Sequence, residues 1–162
     1  MSNFDFKKSI AYLRDGFVPF SEANLSIASS PVLYGLSIYT VFNITFDPNT
    51  KKLYLFRLKD HYDRLVSSAR IMDFHSFASE WPYERFESTM LELVQKNNLD
   101  EEALVRVTVF VDELIAGTKI HGLKNSFSAY IYPMGEILNR KGTHVCVSSW
   151  QRTPDNSIPS RA

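Results

Sequence analysis

The sequence predicts an α+β fold in which an antiparallel-rich sheet packs with two helices. Two pairs of short apolar runs separated by turn residues open the chain, a pattern typical of hairpins. Two stretches with apolar residues at helical spacing follow, and three strand-like runs come after them. This separation of strands from helices favours an α+β fold.

The composition is that of a globular protein, since 44% of the 162 residues are hydrophobic and 14% are aromatic. A chain of this length has enough material for a hydrophobic core. The 18 basic and 18 acidic residues balance, so no field of one sign favours a nucleic-acid partner or an anionic membrane.

The single cysteine, Cys146, lies in an apolar run and predicts a buried, inert thiol in a reducing compartment. The first residues lack the basic-then-apolar order of a signal peptide, and no apolar run reaches membrane-spanning length. These features together predict a cytoplasmic protein.

Two hairpins are predicted before the first helix. A Gly-containing turn separates two short apolar runs, and a later turn at Asp47–Thr50 follows a run rich in β-branched and aromatic residues. The predicted strand pairs are 10–13 with 17–20 and 38–46 with 53–56. One face of the strand at 38–46 is apolar apart from Thr40, which indicates that this face is buried.

The first helix is predicted from apolar residues at spacings of three, four and seven. Asp60 is placed to cap its first turn. The residues of the apolar face are Tyr62, Leu65, Val66, Ala69 and Met72. A second, polar face carries His61, Arg64 and Ser68, and helix geometry alone predicts that this face is solvated.

A loop at Phe74–Glu80 precedes the second helix, which opens at Trp81-Pro82 and stops at Asn97-Asn98. Its predicted core face carries Phe86, Met90, Leu93 and Val94. The three later strands are predicted at Ala103–Val111, Ser126–Tyr132 and Thr143–Trp150.

The stretch around the first helix also carries a family resemblance. Phe56-Arg57 followed by the spacing H-x-x-R-L-x-x-S-A from His61 to Ala69 resembles the phosphate-binding helix of the class IV, fold type IV pyridoxal-phosphate-dependent aminotransferases. The resemblance implies that Arg64 pairs with the phosphate of pyridoxal 5'-phosphate. A planar guanidinium suits that role because it holds two phosphate oxygens and stays charged.

Substrate-binding residues are implied by the same resemblance. Tyr34-Gly35, Ser37 and Tyr39 resemble the family strand H-Y-G-x-S-x-F-E-G, which implies that Tyr34 and Tyr39 line a substrate pocket bordered by Val41. Arg106 matches a strand arginine that helps to bind the substrate carboxylate. A lone arginine among apolar strand residues also favours an anionic partner by itself, with an exposed sheet edge as the alternative.

The resemblance implies transamination of a branched-chain amino acid with 2-oxoglutarate or a similar keto acid. Branched-chain enzymes commonly read F-E-G-x-R where this chain has Y-T-V-F-N at residues 39–43, which is closer to the D-amino-acid and R-selective amine transaminases. Such a transaminase, or an aminodeoxychorismate lyase of the same fold, remains an alternative. A non-catalytic, truncated dimerisation domain is another.

Two loops resemble family segments and imply a homodimer. Asp112–Gly117 resembles the loop that crosses to the neighbouring subunit, and Pro133-Met134-Gly135 follows a strand as in the family. The run Val147–Ala162 resembles V-S-S-W-x-R-x-x-x-x-x-I-P-x-x-A, which leads directly into the Schiff-base lysine.

No catalytic residue is therefore expected among the 162 residues themselves, because the lysine is expected directly after Ala162. We expect residues 1–142 to form the small N-terminal domain and residues 143–162 to lead toward the lysine and a larger C-terminal domain. Either the chain is a fragment or truncated product, or it continues with a lysine modified by the cofactor.

Other kinds of site find no support in the sequence. No defensible Ser-His-Asp arrangement, zinc-type spacing or glycine-rich phosphate loop is present. The four histidines, His61, His75, His121 and His144, are scattered, and each is predicted to be a surface or structural residue. The sequence thus predicts no metal site.

Overall fold

The computed structural model describes residues 5–133, 142, 144–154 and 156–157, which contain six strands, four α-helices and two short 3-10 helices. The strands are β1 (Ile10–Leu13), β2 (Gly16–Pro19), β3 (Ser37–Asp47), β4 (Lys52–Leu55), β5 (Ala103–Val111) and β6 (Asn125–Pro133). The helices are α1 (Ser30–Tyr34), α2 (Leu58–Ile71), α3 (Phe77–Glu80) and α4 (Tyr83–Lys96), with 3-10 turns at Phe6–Lys8 and Phe20–Glu22.

The six strands form one sheet in the order β2-β1-β6-β5-β3-β4, and every neighbouring pair is antiparallel. Both predicted hairpins are present, as β1-β2 and β3-β4. The long central strands join them, with Val41 opposite Arg106 and Arg106 opposite Tyr130. The α+β prediction, with its antiparallel-rich sheet, is confirmed.

One face of the sheet forms the hydrophobic core under α2 and α4. Alternate residues of the central strands point into it, because side chains alternate across a strand. An aromatic cluster joins the layers: the Phe127 ring stacks on Tyr12 at 4.8 Å and meets Trp81 edge-on at 4.3 Å. The fully buried helix residues include Leu65, Phe86, Met90 and Leu93. Both predicted apolar helix faces are thereby confirmed in their main residues.

The opposite face of the sheet carries the other set of alternating side chains. Tyr39 on β3 is 51% exposed, and Arg106 on β5 and Tyr130 on β6 are partly exposed. This face, called the open face below, holds Tyr39, Val41, Arg106, Tyr130 and Tyr132. Side chains here are anchored by rigid central strands but remain accessible, which is what a binding site needs.

The start and the polar face of α2 differ from the prediction. The helix is entered through Arg57 in the left-handed conformation (φ 50°), and Asp60 lies inside the first turn, where it pairs with Arg57. Asp60 therefore acts through its charge at the positive helix end rather than as the cap. Ser68 is only 1% exposed rather than solvated, and its hydroxyl has no partner among the described residues.

The predicted loop Phe74–Glu80 contains the one-turn helix α3 instead. Phe74 and Phe77 are 3% and 1% exposed, so this segment belongs to the core. Burial of two aromatic side chains stabilises a segment whose short, irregular apolar pattern gave no helical period.

The predicted strand Thr143–Trp150 is wrong for residues 144–150, which form no strand. Val145, Val147 and Trp150 are at least 89% exposed, and Cys146 is exposed rather than buried. No strand in the described part of the chain pairs with them, so neither backbone nor side chains gain from an extended conformation. The division at residue 142 stays a prediction.

Across the described helices, none combines the length and the apolar character that crossing a membrane requires.

Candidate functional site

Arg64 lies on α2 beside the edge of β3. Its Nη2 donates a hydrogen bond to the backbone oxygen of Tyr39 at 2.9 Å, while the guanidinium remains exposed. β4 pairs only with residues 44–47 of β3, so Tyr39 lies in the half of the strand that β4 leaves uncovered. The hydrogen bond fixes the arginine at this edge and leaves most of its N–H groups available to a ligand.

His61, one turn before Arg64, anchors α2 to the same strand. Its Nδ1 lies 3.0 Å from Oγ1 of Thr40, a side chain that is fully buried on the core face of β3. Burial, followed by the positive charges of Arg64 and Arg57, lowers the pKa of His61 from its ordinary value of 6.5. A neutral imidazole here gives a hydrogen-bond partner to the Thr40 hydroxyl, the one polar side chain on an otherwise apolar face of the strand.

The lowered pKa of His61 predicts a loss of stability in mild acid. The unfolded chain binds a proton at this residue more readily than the folded chain, so stability is lost as the pH falls from 6.5 through the folded pKa. We expect the free energy of unfolding to fall more steeply between pH of about 7.5 and about 5.5 in the wild type than in His61→Asn. Denaturant unfolding at both pH values measures this, and equal slopes would contradict it.

Arg106 and Tyr39 meet on the open face. The guanidinium carbon of Arg106 lies 4.0 Å from the centroid of the Tyr39 ring, on neighbouring strands β5 and β3. This cation–π contact holds the planar guanidinium in place without neutralising it. Tyr39 thus touches both candidate arginines, Arg64 through its backbone oxygen and Arg106 through its ring.

The other two predicted pocket residues are placed differently. Val41 is partly buried on the open face and directly opposite Arg106 in the register, so it borders the same surface. Tyr34 ends α1 before Gly35, which adopts the left-handed conformation, and its side chain is 45% exposed. None of the hydrogen bonds and ring contacts of the described residues joins Tyr34 to Tyr39, Val41 or Arg106. The role of Tyr34 stays a prediction.

Two tyrosines on β6 belong to the same surface and were missed by the sequence reasoning. The rings of Tyr130 and Tyr132 lie 5.9 Å apart, and Phe20 packs against Tyr130 at 5.5 Å. Burial, then the neighbouring Tyr130, raises the pKa of Tyr132, so its phenol stays protonated and can donate a hydrogen bond. The alternation of Ser128, Tyr130 and Tyr132 could have indicated this face once β6 was paired with β5.

Arg64 and Arg106 are among the cations of the described chain that form no ion pair. Arg14, Arg57 and Lys59 each form an ion pair with an aspartate, whereas Arg64 and Arg106 pair with no carboxylate of the described residues. Both are held by neutral groups of Tyr39 instead. Two uncompensated guanidinium groups that both contact Tyr39 can attract anions such as a phosphate or a carboxylate. This donor set fits a phosphorylated cofactor with a carboxylate substrate.

The predicted subunit-crossing loop Asp112–Gly117 lies between β5 and β6. Asp112 pairs with Arg14, while Leu114 is 69% exposed. Its contact with a second subunit stays a prediction. Within Pro133-Met134-Gly135, only the backbone of Pro133 falls inside the described residues, and the position after Ala162 lies outside them.

No family model matches the chain. It is 33% identical over 153 residues to a probable branched-chain-amino-acid aminotransferase of Synechocystis, covering 94% of this chain and 48% of that protein. Its fold matches that of the branched-chain aminotransferase from Thermoproteus uzoniensis, determined with norvaline, with a TM-score of 0.80 at 26% identity. That match covers 93% of this chain and 49% of the other.

A second solved structure contains a bound phosphopyridoxyl compound. The T.th. branched-chain amino acid aminotransferase, complexed with N-(5'-phosphopyridoxyl)-L-glutamate, matches with a TM-score of 0.74 at 25% identity. The match covers 96% of this chain and 50% of that enzyme.

The fold and these matches identify the chain as a relative of the class IV, fold type IV pyridoxal-phosphate-dependent aminotransferases. Within that class, the matching proteins are branched-chain aminotransferases. The chain spans about half the length of the curated relatives it matches.

Proposed function

We propose that the protein serves pyridoxal-phosphate-dependent transamination of a branched-chain amino acid with 2-oxoglutarate or a similar keto acid. The names of its sequence relatives support the class of reaction. The chain matches about half the length of those relatives. The proposal therefore concerns the activity of the whole protein and not of this half by itself.

One observation carries the cofactor assignment: Arg64 is an exposed guanidinium, fixed by the backbone oxygen of Tyr39 at 2.9 Å and paired with no described carboxylate. In the proposed site it holds the phosphate through charge-assisted hydrogen bonds. Pyridoxal phosphate, when bound, supplies the carbonyl that takes up the amino group and the ring that withdraws electrons.

Arg106 binds the substrate carboxylate in this proposal. Its guanidinium is planar, charged at any working pH and already positioned over the ring of Tyr39 at 4.0 Å. The ring of Tyr39 and the side chain of Val41 supply apolar surface beside it, which suits an aliphatic substrate side chain. The carboxylate thereby fixes the orientation of the amino acid, while Val41 and Tyr39 contact its apolar part.

An activity measurement on the full-length protein tests the reaction. With pyridoxal phosphate, L-leucine and 2-oxoglutarate, we expect formation of glutamate. D-leucine is expected to give none. Turnover of D-leucine alone would assign the protein to the D-selective alternative, and no turnover of any amino donor would remove the proposal.

The role of Arg106 gives a sharper prediction. In Arg106→Ala we expect KM for L-leucine to rise by roughly 10- to 150-fold, since a charge-assisted hydrogen bond contributes about 1.5 to 3 kcal/mol. Arg106→Lys should recover part of the loss because it keeps the charge without the bidentate geometry.

Arg85→Ala is the matched control for this change. Its guanidinium also stacks on an aromatic ring, that of Trp81 at 3.8 Å, but it belongs to α4 on the helical side of the sheet. We expect its KM to stay at the wild-type value. An unchanged KM in Arg106→Ala, or an equal rise in both variants, would contradict the assignment.

A further inference from the structure

A cluster of metal-binding side chains lies outside the site described above. Asp73 and His75 follow the end of α2, and His121 belongs to the loop between β5 and β6. One ligand atom from each residue lies within 4.8 Å of the other two. His75 and His121 lie 46 positions apart in the sequence, and folding brings their side chains together.

The contacts inside the cluster form a closed triangle. His75 Nε2 lies 2.8 Å from His121 Nδ1, and His121 Nδ1 lies 2.9 Å from Asp73 Oδ2. His75 Nε2 also contacts Asp73 Oδ1. Two imidazole nitrogens and a carboxylate thus point at one small volume.

No placement of protons makes all three of these contacts hydrogen bonds at the same time. Each imidazole nitrogen offers either one N–H or one lone pair in the plane of its ring. If His75 and His121 both donate to Asp73, both nitrogens carry a proton although they lie only 2.8 Å apart. If one imidazole donates its proton to the other instead, neither of these two nitrogens has a proton left to donate to the Asp73 carboxylate. With a cation between them, all three side chains can act as lone-pair donors at once.

The backbone around the three side chains is held by the core. Phe74, between Asp73 and His75, is 3% exposed. Ile120 and Leu123, on either side of His121, pack against the core. The two segments are also tied together, since Asn125 Nδ2 donates to Ser76 Oγ at 2.9 Å. The backbone segments that carry the three side chains are therefore held close together before any ligand arrives, which favours binding.

We propose that Asp73, His75 and His121 form a binding site for a divalent transition-metal cation of the Zn²⁺ type. Two imidazoles and one carboxylate suit Zn²⁺, whereas Mg²⁺ and Ca²⁺ prefer all-oxygen ligands. All three residues are partly or largely exposed, so water completes the coordination. The site has no residue in common with the open face and does not depend on the proposed transamination.

Titration calorimetry of the metal-free, full-length protein with zinc chloride tests this site. We expect one zinc ion per chain, and MgCl₂ is expected to give no binding at the same concentrations. His75→Ala and His121→Ala should each weaken zinc binding by at least about 10-fold, because even the outer partners of metal ligands contribute 10- to 100-fold.

Two further variants make the outcome decisive. Asp73→Asn removes the charge but keeps a residue type that tolerates the left-handed backbone at this position (φ 65°), so the fold is retained and zinc binding falls similarly. His144→Ala removes an exposed histidine outside the cluster and should leave binding unchanged. No zinc binding, equal binding by Mg²⁺, unchanged affinity in the cluster variants, or an equal loss in His144→Ala would overturn the proposal.

Discussion

Replacing Arg64 with Ala is expected to weaken binding of pyridoxal phosphate by roughly 10- to 150-fold. A hydrogen bond to a charged group contributes about 1.5 to 3 kcal/mol, and each 1.4 kcal/mol changes the dissociation constant tenfold. Since the side chain is exposed and makes one hydrogen bond to Tyr39, folding should change little. A fluorescence titration of the full-length protein with pyridoxal phosphate measures the affinity.

Arg70→Ala is the control for this experiment. Arg70 is also an exposed arginine of α2, six residues further along, so its loss changes the net charge and the helix to a similar extent. We expect this variant to bind the cofactor like the wild type. Equal affinity in Arg64→Ala and the wild type would contradict the phosphate assignment, and an equal loss in both variants would reduce it to a general charge effect.

Phe127→Ala is expected to destabilise the domain by about 3 to 5 kcal/mol, the cost of truncating a buried Phe in a packed core. Phe127 is fully buried on β6. Its ring contacts those of Tyr12, Trp81 and Phe86, with centroid distances of 4.8, 4.3 and 6.3 Å. Truncation leaves a cavity where β1, β6, α4 and the segment before it meet. Urea denaturation measures the change in the free energy of unfolding.

Phe56→Ala makes the same chemical change at a position that is 55% exposed. There, we expect a loss of about 1 kcal/mol or less, because surface substitutions away from special contacts have small effects. A loss at Phe127 no greater than that at Phe56 would show that the aromatic cluster does not hold the layers together.

Local patterns predicted much of the fold. Strict alternation identified the strand that contains Ile38, Thr40 and Phe42, and helical spacing identified the buried faces around Leu65 and Met90. Both patterns arise from the same burial that stabilises the elements, so they are readable in the sequence itself. Residues 144–150 misled the prediction because an apolar run forms a strand only beside a partner, and no strand among the described residues pairs with them.

The candidate site was predicted in part, and only with the help of the family resemblance. A lone Arg among apolar residues of β5 suggested that Arg106 meets an anion, but its stacking on Tyr39 depends on the register between β5 and β3. The contact between Arg64 and the backbone oxygen of Tyr39 cannot be predicted from residue types, because every residue has a backbone oxygen. Such contacts between distant segments follow from tertiary packing rather than from local pattern.

The convergence of Asp73 and His75 with His121 shows the same limit. Metal motifs read from sequence depend on short fixed spacings, whereas these ligands come from two loops separated by α3, α4 and β5. The packing of Phe74, Ile120 and Leu123 against one core, together with the hydrogen bond from Asn125 to Ser76, places them side by side.

A crystal structure of the full-length protein grown with pyridoxal phosphate tests the central claim most directly. We predict a phosphate within hydrogen-bonding distance of the Arg64 guanidinium, with the cofactor ring toward the open face that carries Tyr39 and Arg106. A cofactor phosphate bound elsewhere, with Arg64 facing only solvent, would contradict the account.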